Sequence, residues 1–393
     1  MILISLDKTK SVFKVLRFAS KLEISVGRQY CNLFVSVFYG LSSIVRYILI
    51  MIIESGLLSN NMGVLSRLND FRLLNGYTHL ANNPRWPLFV ESIYGHRAYY
   101  IEVMTSGNAL AYAVGNLCRI STSGRNILVL GAFLDYGVEM YLRDIESQSV
   151  EKIQKEILLQ THFNGILTKR KTPLKELSRH SQAIMDFSEH TIDSLEKNIT
   201  SRARNDLRQF EIYGNSIAVD NGHLPEFYKL YVKRMKEFGT PAHPIKFFNK
   251  LLKTFDSRIV IAYNQNGNPS AASFSICEDG TWLHLYAVGD RTLRKGNPGD
   301  RVLWEEMKMA IERGVQSFWL GRSVHNSDIE KYKEKWNPHF YSTTETIGTR
   351  NNLGLGFQEI NQEGSKSIFA NIWRRLPVIG TNCLNSSIRR YIP

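Results

Sequence analysis

Residues 281–336 read TWLHLYAVG (281–289), DRTLRKGNPGD (290–300), RVLWEEMKMAIERG (301–314) and VQSFWLGRSVHNSDIEKYKEKW (315–336). The first piece alternates as a strand does, the second is a basic loop broken by glycine and proline, and the third has helical spacing. The fourth is a strand running into Gly321-Arg322-Ser323. A strand, a loop, a helix and a second strand in that order bring the loop and the helix N-terminus to one edge of a sheet, where backbone N–H groups face an anionic ligand.

Upstream the pattern continues as a meander. PEFYKLYVKRMKEFG (225–239) and PIKFFNKLLKTF (244–255) read as helices, the second with Phe247, Phe248, Leu251 and Phe255 on an apolar face. RIVIAY (258–263), a turn at Asn266-Gly267, AASFSIC (271–277) and a turn at Asp279-Gly280 lead into the opening strand. The first half has the same order without obvious identity: a short helix PRWPLFVESIYG (84–95), a hairpin RAYYIEVM/ALAYAVGNL turning at 105–108, and a strand NILVLG (126–131) running into Ala132–Gly137. A helix SVEKIQKEILLQTH (149–162) and a strand FNGILT (163–168) complete it. Helices, an antiparallel meander, a helix and a strand, twice over, imply an α+β protein of two similar domains. The divisions expected are an N-terminal hydrophobic and basic helical segment (1–60), a first domain (61–190), a second domain with a basic entry helix (191–350) and a tail (351–393). The linker falls around 170–205, through TKRKTPLKELSRH and the helix SLEKNITSRARNDLRQFE.

The totals fit a globular chain of 393 residues, 43% hydrophobic and 22% charged, with a net charge of +13. That excess favours anionic partners: phosphorylated substrates, nucleic acid or an anionic membrane face. Basic residues are dispersed and no recognised nucleic-acid motif is present, so no specific nucleic acid is expected. Cys31, Cys118, Cys277 and Cys383 stand far apart, with no CxxC pair and no histidine cluster, so free thiols in a reducing compartment are expected and no metal site. Residues 33–53, LFVSVFYGLSSIVRYILIMII, approach the length of a membrane span, yet Arg46 within them costs about 2.5 to 3.5 kcal/mol at a bilayer centre. The expectation is a helix packed on the protein or lying on a membrane; a true span, or a start at Met51 or Met62, are the alternatives.

The chain resembles the FemAB-like branch of the GNAT acyltransferase superfamily, particularly its exopolysaccharide- and exosortase-associated members. The resemblance is carried by Glu237-Phe238-Gly239-Thr240-Pro241 followed by PIKFF, the basic helix SRARNDLRQFE, Gly321-Arg322-Ser323 and their spacing to Lys333 and Trp336. HLANNPRW (79–86), Phe133–Gly137 and WRRLP (373–377) add to it. It implies two tandem GNAT-like domains of mixed, mostly antiparallel sheets flanked by helices, with a cleft between them. It also implies transfer of an acyl or aminoacyl group to an amine on a cell-envelope or exopolysaccharide precursor. No cofactor is held tightly; acyl-CoA or an aminoacyl-tRNA is the co-substrate. The helical insertion of the tRNA-dependent members is missing between 206 and 345, and the loop at 291–300 has the glycines and charge of a pyrophosphate loop without its usual spacing. A cytoplasmic protein, peripheral on the inner membrane face and acting on an anionic or lipid-linked saccharide precursor, follows. A non-catalytic membrane-associated assembly factor and a nucleic-acid-binding protein remain the alternatives.

N-acyl transfer needs a deprotonated amine, a stabilised oxyanion and two substrates held close. The catalytic candidates are Asp135 and Tyr136, in the turn after an apolar strand, and His284 and Tyr286, which share a face with Trp282 and Val288 if 281–289 alternates regularly. Substrate-binding candidates are Arg322 and Ser323 at a strand end, Lys333 and Trp336 three apart on a short helix, and Arg204 and Arg208 on the basic helix. Arg291, Arg294, Lys295, Gly296 and Gly299 would hold a pyrophosphate, with Asp300 as the N-cap of the following helix.

Overall fold

The computed structural model describes residues 36–38, 49–105, 108–119, 126–143, 145, 147–172, 179–349, 358–359, 364–376, 385 and 388–391. The first half comprises β1 (Ser36–Phe38), β2 (Leu49–Leu57), α1 (Met62–Leu74), α2 (Arg85–Tyr94), β3 (Ala98–Thr105), β4 (Asn108–Arg119), β5 (Asn126–Leu130), β6 (Met140–Tyr141), α3 (Ser147–Gln160) and β7 (Gly165–Thr172). Next come β8 (His180–Asp186), α4 (Ile192–Asn198), α5 (Ser201–Ile212), β9 (Ser216–Val219), α6 (Leu224–Phe238), α7 (Ile245–Thr254), β10 (Asp256–Tyr263), β11 (Pro269–Glu278) and β12 (Thr281–Gly289). The chain ends with α8 (Pro298–Glu312), β13 (Ser317–Val324), α9 (Asp328–Glu334), β14 (His339–Thr349), β15 (Gln358–Glu359) and α10 (Gly364–Arg375).

The strands join in one mixed, mostly antiparallel sheet ordered β1-β2-β3-β4-β5-β7-β14-β8-β13-β12-β11-β10-β9. Its centre is an exchange. β14 follows the second half in sequence but pairs with β7 over eight residues, and β8 pairs with β13. Residues 180–186 therefore form a central strand inside the stretch read as a linker, because Ala183, Ile184 and Met185 are an apolar run buried on both faces.

Within the segment expected to be helical, 49–57 are extended and pair with β3 from Met51 to Leu57. A run rich in β-branched isoleucine suits a pleat better than a helix, and Met51 and Ile53 point into the core beside Ile101 and Val103. Apart from 36–38, the residues before 49, like Cys31 and Cys383, lie outside the described residues. Among the described residues no helix is long and apolar enough to cross a membrane, and no cluster of side chains could hold a metal ion.

One face of the sheet carries α2, α6 and α7 in a core that runs across both halves. Trp86, Phe89, Phe227, Tyr231, Phe247, Phe248 and Phe274 are all buried in it. Each such side chain contributes about 1.5 to 3 kcal/mol on leaving water, so the halves are held together by apolar burial. On the opposite face of the second half Leu303 of α8 joins a core with Trp282, Phe318 and Trp336.

Candidate active site

In both halves a strand and the parallel strand that follows its helix stay together only briefly. β5 and β7 pair from Ile127/Gly165 to Val129/Leu167, and β12 and β13 pair from Thr281/Ser317 to Leu283/Trp319. Beyond those points the strands splay. In the second half the splay begins at His284 on one side and Leu320-Gly321 on the other. There β13 bulges against β8, placing Leu320 and Gly321 opposite Ala183 alone, and Gly321 adopts φ +79°, a backbone open to glycine at little cost.

Asp135 reaches this opening from the first half. Its carboxylate accepts from the Arg322 backbone N–H at 3.4 Å and lies 3.4 Å from Arg322 Nε. The side chain is 49% exposed although protein atoms surround it, which is how a residue on a cleft wall behaves. Burial pushes its carboxyl up, but Arg322, Lys169 and Lys333 pull it down further, so it lies below its ordinary value and is ionised at neutral pH. Open to water, the pair with Arg322 adds little stability, and its value is positional.

Two lysines support the corner. Lys333 is buried and donates from Nζ to the Gly321 carbonyl at 2.6 Å, and burial lowers its ammonium to about 8 against the pull of Asp135 and Glu330. Lys169, also buried, donates to the Leu134 carbonyl at 2.9 Å, fixing the turn that carries Asp135. Burial lowers its ammonium, while Glu345 and Asp135 favour the charge. Ser323 is buried with a hydroxyl that has no partner among the described residues. Tyr136 packs edge-on against His79 and Trp319 at the wall.

His284 and Tyr286 do not share a face. Ser275 pairs with His284 and Phe274 with Tyr286, so Leu285 is an extra residue that reverses the alternation. His284 turns toward α8, its Nδ1 2.7 Å from Glu306 Oε2. Tyr286 turns to the other face, among Tyr231, His243, Phe247 and Phe248. Glu306 is fully buried, also accepting from Ser273 Oγ and from Trp282 Nε1 at 3.4 Å. A glutamate among Val302, Leu303, Met307 and Ala310 on the apolar stripe of α8 was the sequence signal for it.

Three further expectations change. Asn297, not Asp300, is the N-cap of α8, with Pro298 opening the helix. Asp300 turns inward to Lys335 at 2.6 Å, so it does not face a phosphate at this helix end. Arg294, Lys295 and Gly299 remain exposed there, Gly296 is buried against Asn215, and Arg291 reaches Glu237 at 3.4 Å. Arg204 is taken up by the C-terminal carbonyls of α4, donating to Glu196 at 3.1 Å and to Ile199, because that helix end needs donors. Arg208, one turn further along α5, is exposed. Trp336 is 0% exposed and stacks on Trp304, a core residue rather than part of the cleft.

The β12 edge facing β13 is thus unpaired beyond Leu283, and the opening beside Asp135 exposes backbone there. Residues 196–334 match the pattern of the acetyltransferase (GNAT) domain. Over that stretch the second half is similar to a GNAT domain. The solved structure of FemX superposes with a TM-score of 0.56 at 12% identity, over 73% of this chain and 96% of its own. At that identity the likeness is one of fold: α+β with two GNAT-like halves. L-PGS from Bacillus licheniformis aligns with a TM-score of 0.44 at 14% identity, covering 79% of this chain and 97% of its own. A tandem GNAT protein from the clavulanic acid biosynthesis pathway gives 0.47 at 8%, covering 75% and 98%. No curated protein matches the sequence.

Proposed function

We propose that the protein is an N-acyltransferase that moves an acyl group from acyl-CoA to an amine on a cell-envelope or exopolysaccharide precursor. The observation that carries the reading is Asp135 of one half seated at the open splay of the other. The donor would lie along the free edge of β12, with its pyrophosphate near Arg294, Lys295 and the N-terminus of α8, where Gly299 leaves the backbone uncovered. The acceptor amine would enter from the Asp135 side. An ionised carboxylate there orients the amine and, as the neutral nitrogen attacks the thioester carbonyl, takes the proton the nitrogen sheds. Collapse of the tetrahedral intermediate breaks the C–S bond, and coenzyme A leaves as a thiolate that takes up that proton as the free thiol. Backbone N–H groups of the unpaired strand edge face the oxyanion that forms.

Acyl-CoA is favoured over an aminoacyl-tRNA because the helices between 206 and 345 run to 15 residues at most, with no long helical hairpin. The envelope precursor follows from the resemblance in Glu237–Pro241 and Gly321–Ser323, and a cytoplasmic site of action on the inner membrane face from the positive charge.

The test is acyl transfer from acetyl-CoA to a panel of amino sugars and amino-acid amides, followed by thiol release. Asp135→Asn should lower turnover by about 10²- to 10⁴-fold with an unchanged unfolding midpoint, since the side chain is half exposed. Unaltered turnover would remove Asp135 from the chemistry. Mass spectrometry of precursor pools with and without the protein identifies the group transferred, and an unchanged pool argues against the envelope acceptor.

A further inference from the structure

Beside the candidate site, on the Tyr286 face of β12, the C-terminal segment delivers a cation with no acidic partner among the described residues. Arg389 donates from Nε at 3.2 Å and from Nη2 at 3.1 Å to the same acceptor, Nε2 of His243. Its guanidinium also lies 5.4 Å above the ring of Phe133, two residues before Asp135. Among the described residues no carboxylate lies within ion-pair distance of it. The segment is held in place independently: Asn385, buried, accepts from the Ala242 N–H at 2.9 Å, and the Arg390 carbonyl meets His96 Nε2 at 2.6 Å.

The proton inventory of this cluster is one-sided. An arginine only donates, so Nε2 of His243 must be the acceptor, and the neutral ring carries its proton on Nδ1. The ring is fully buried, and burial together with Arg389 holds it far below its ordinary value, so a second proton is excluded. Nδ1–H therefore donates to the Tyr94 hydroxyl, which leaves the Tyr94 proton uncommitted. The Tyr286 hydroxyl, packed against the same imidazole with ring centroids 5.7 Å apart, is buried without a partner among the described residues. Arg389 keeps both Nη1 hydrogens and one on Nη2, the outer fork that receives a carboxylate or phosphate in bidentate fashion. The cluster offers donors and one net positive charge, with no acceptor for them among the described residues.

We infer that Arg389, with the hydroxyls of Tyr94 and Tyr286, forms an oxyanion subsite that binds a carboxylate or phosphate group of the acceptor. Naming the acceptor as the carrier rests on the proposed N-acyl transfer; the anion binding itself does not. Arg389 would position the acceptor amine toward Asp135 without touching the reacting atoms.

The full chain is titrated calorimetrically at constant ionic strength with inorganic phosphate, with N-acetylglycine, and with neutral N-acetylglycinamide; coenzyme A is titrated separately. At least one anion should bind and the amide should not, and the stronger of the two identifies the group. Arg389→Gln should weaken that anion by at least about tenfold and Tyr286→Phe by about three- to fivefold, with coenzyme A affinity within about twofold of the parent. Arg389→Lys, which keeps the charge and loses the fork, should fall between. The subsite is overturned if neither anion binds the parent chain, or if the variants bind it as the parent does. Where Arg389→Gln does not fold, Tyr286→Phe decides alone, because it removes only a hydroxyl that bonds to nothing. Anion binding that behaves as expected while coenzyme A fails to bind keeps the subsite and removes acyl-CoA as the donor.

Discussion

The splay between β5 and β7 and the splay between β12 and β13 start alike and end differently. Each follows three parallel residue pairs. In the first half the chain leaving β5 folds straight back into the gap: Gly137 exchanges backbone hydrogen bonds with Lys169 at 3.0 and 2.7 Å, and β6 continues along β4. Trp86 Nε1 pins the turn at the Ala132 carbonyl at 2.9 Å. In the second half the chain leaving β12 goes out into the basic loop and the gap stays open. One copy of the fold has become a plug whose tip, Asp135, reaches the other copy's opening. The same architecture thus supplies a rigid support once and a cleft once, and chemistry is expected only where the backbone edge is free.

Gly137→Ala should break the plug. A Cβ there would stand 2.1 Å from the Leu130 carbonyl oxygen, a contact with backbone that cannot yield. A loss of about 3 kcal/mol or more is expected in denaturant unfolding. A loss below about 1 kcal/mol would show that the first splay is looser than described.

Lys333 sharpens the comparison through pH. Burial disfavours its cation, so the folded protein releases that proton near 8 and the unfolded chain near 10.5. Between those values the unfolded chain binds more protons, and stability rises with pH; below 8 the full penalty applies. Relative to Lys333→Met, the parent should gain up to about 3 kcal/mol between pH 8 and 10.5 in parallel urea titrations. Equal slopes would place Lys333 in solvent.

The smallest effect belongs to Gly321→Ala. Its Cβ would meet only the His284 carbonyl at 3.8 Å and Asp135 at 4.0 Å, so the cost is the positive φ alone, about 1 to 2 kcal/mol by thermal unfolding. A cost as large as that of Gly137→Ala would mean that the second splay is closed as tightly as the first.

Elements with a strong local period were legible. The aromatic stripe of α7, the helix α8 and the meander from β10 to β12 are set by spacing and by turn residues at 266–267 and 279–280, which act over a few positions. β14 was not legible: HFYSTTETIGT is polar, and its extension is decided by β7 and β8, more than 150 residues away. The face of Tyr286 was misread for a related reason. A single bulge at Leu285, imposed by pairing with β11, reverses an alternation that the sequence shows as regular. Asp135 was recognisable in the turn after an apolar strand and Arg322 at the end of one, whereas Lys169 and Arg389 acquire meaning only from neighbours brought in by the fold.

By itself the sequence determined the kinds of element, their repeated order and the positive charge, because propensity, period and composition are local or additive. The tertiary structure alone decided which splay is filled, that Asp135 from one half meets Arg322 from the other, and that the C-terminal arginine faces His243. Those depend on strand exchange and on a core shared by both halves, which are long-range choices no window of sequence contains.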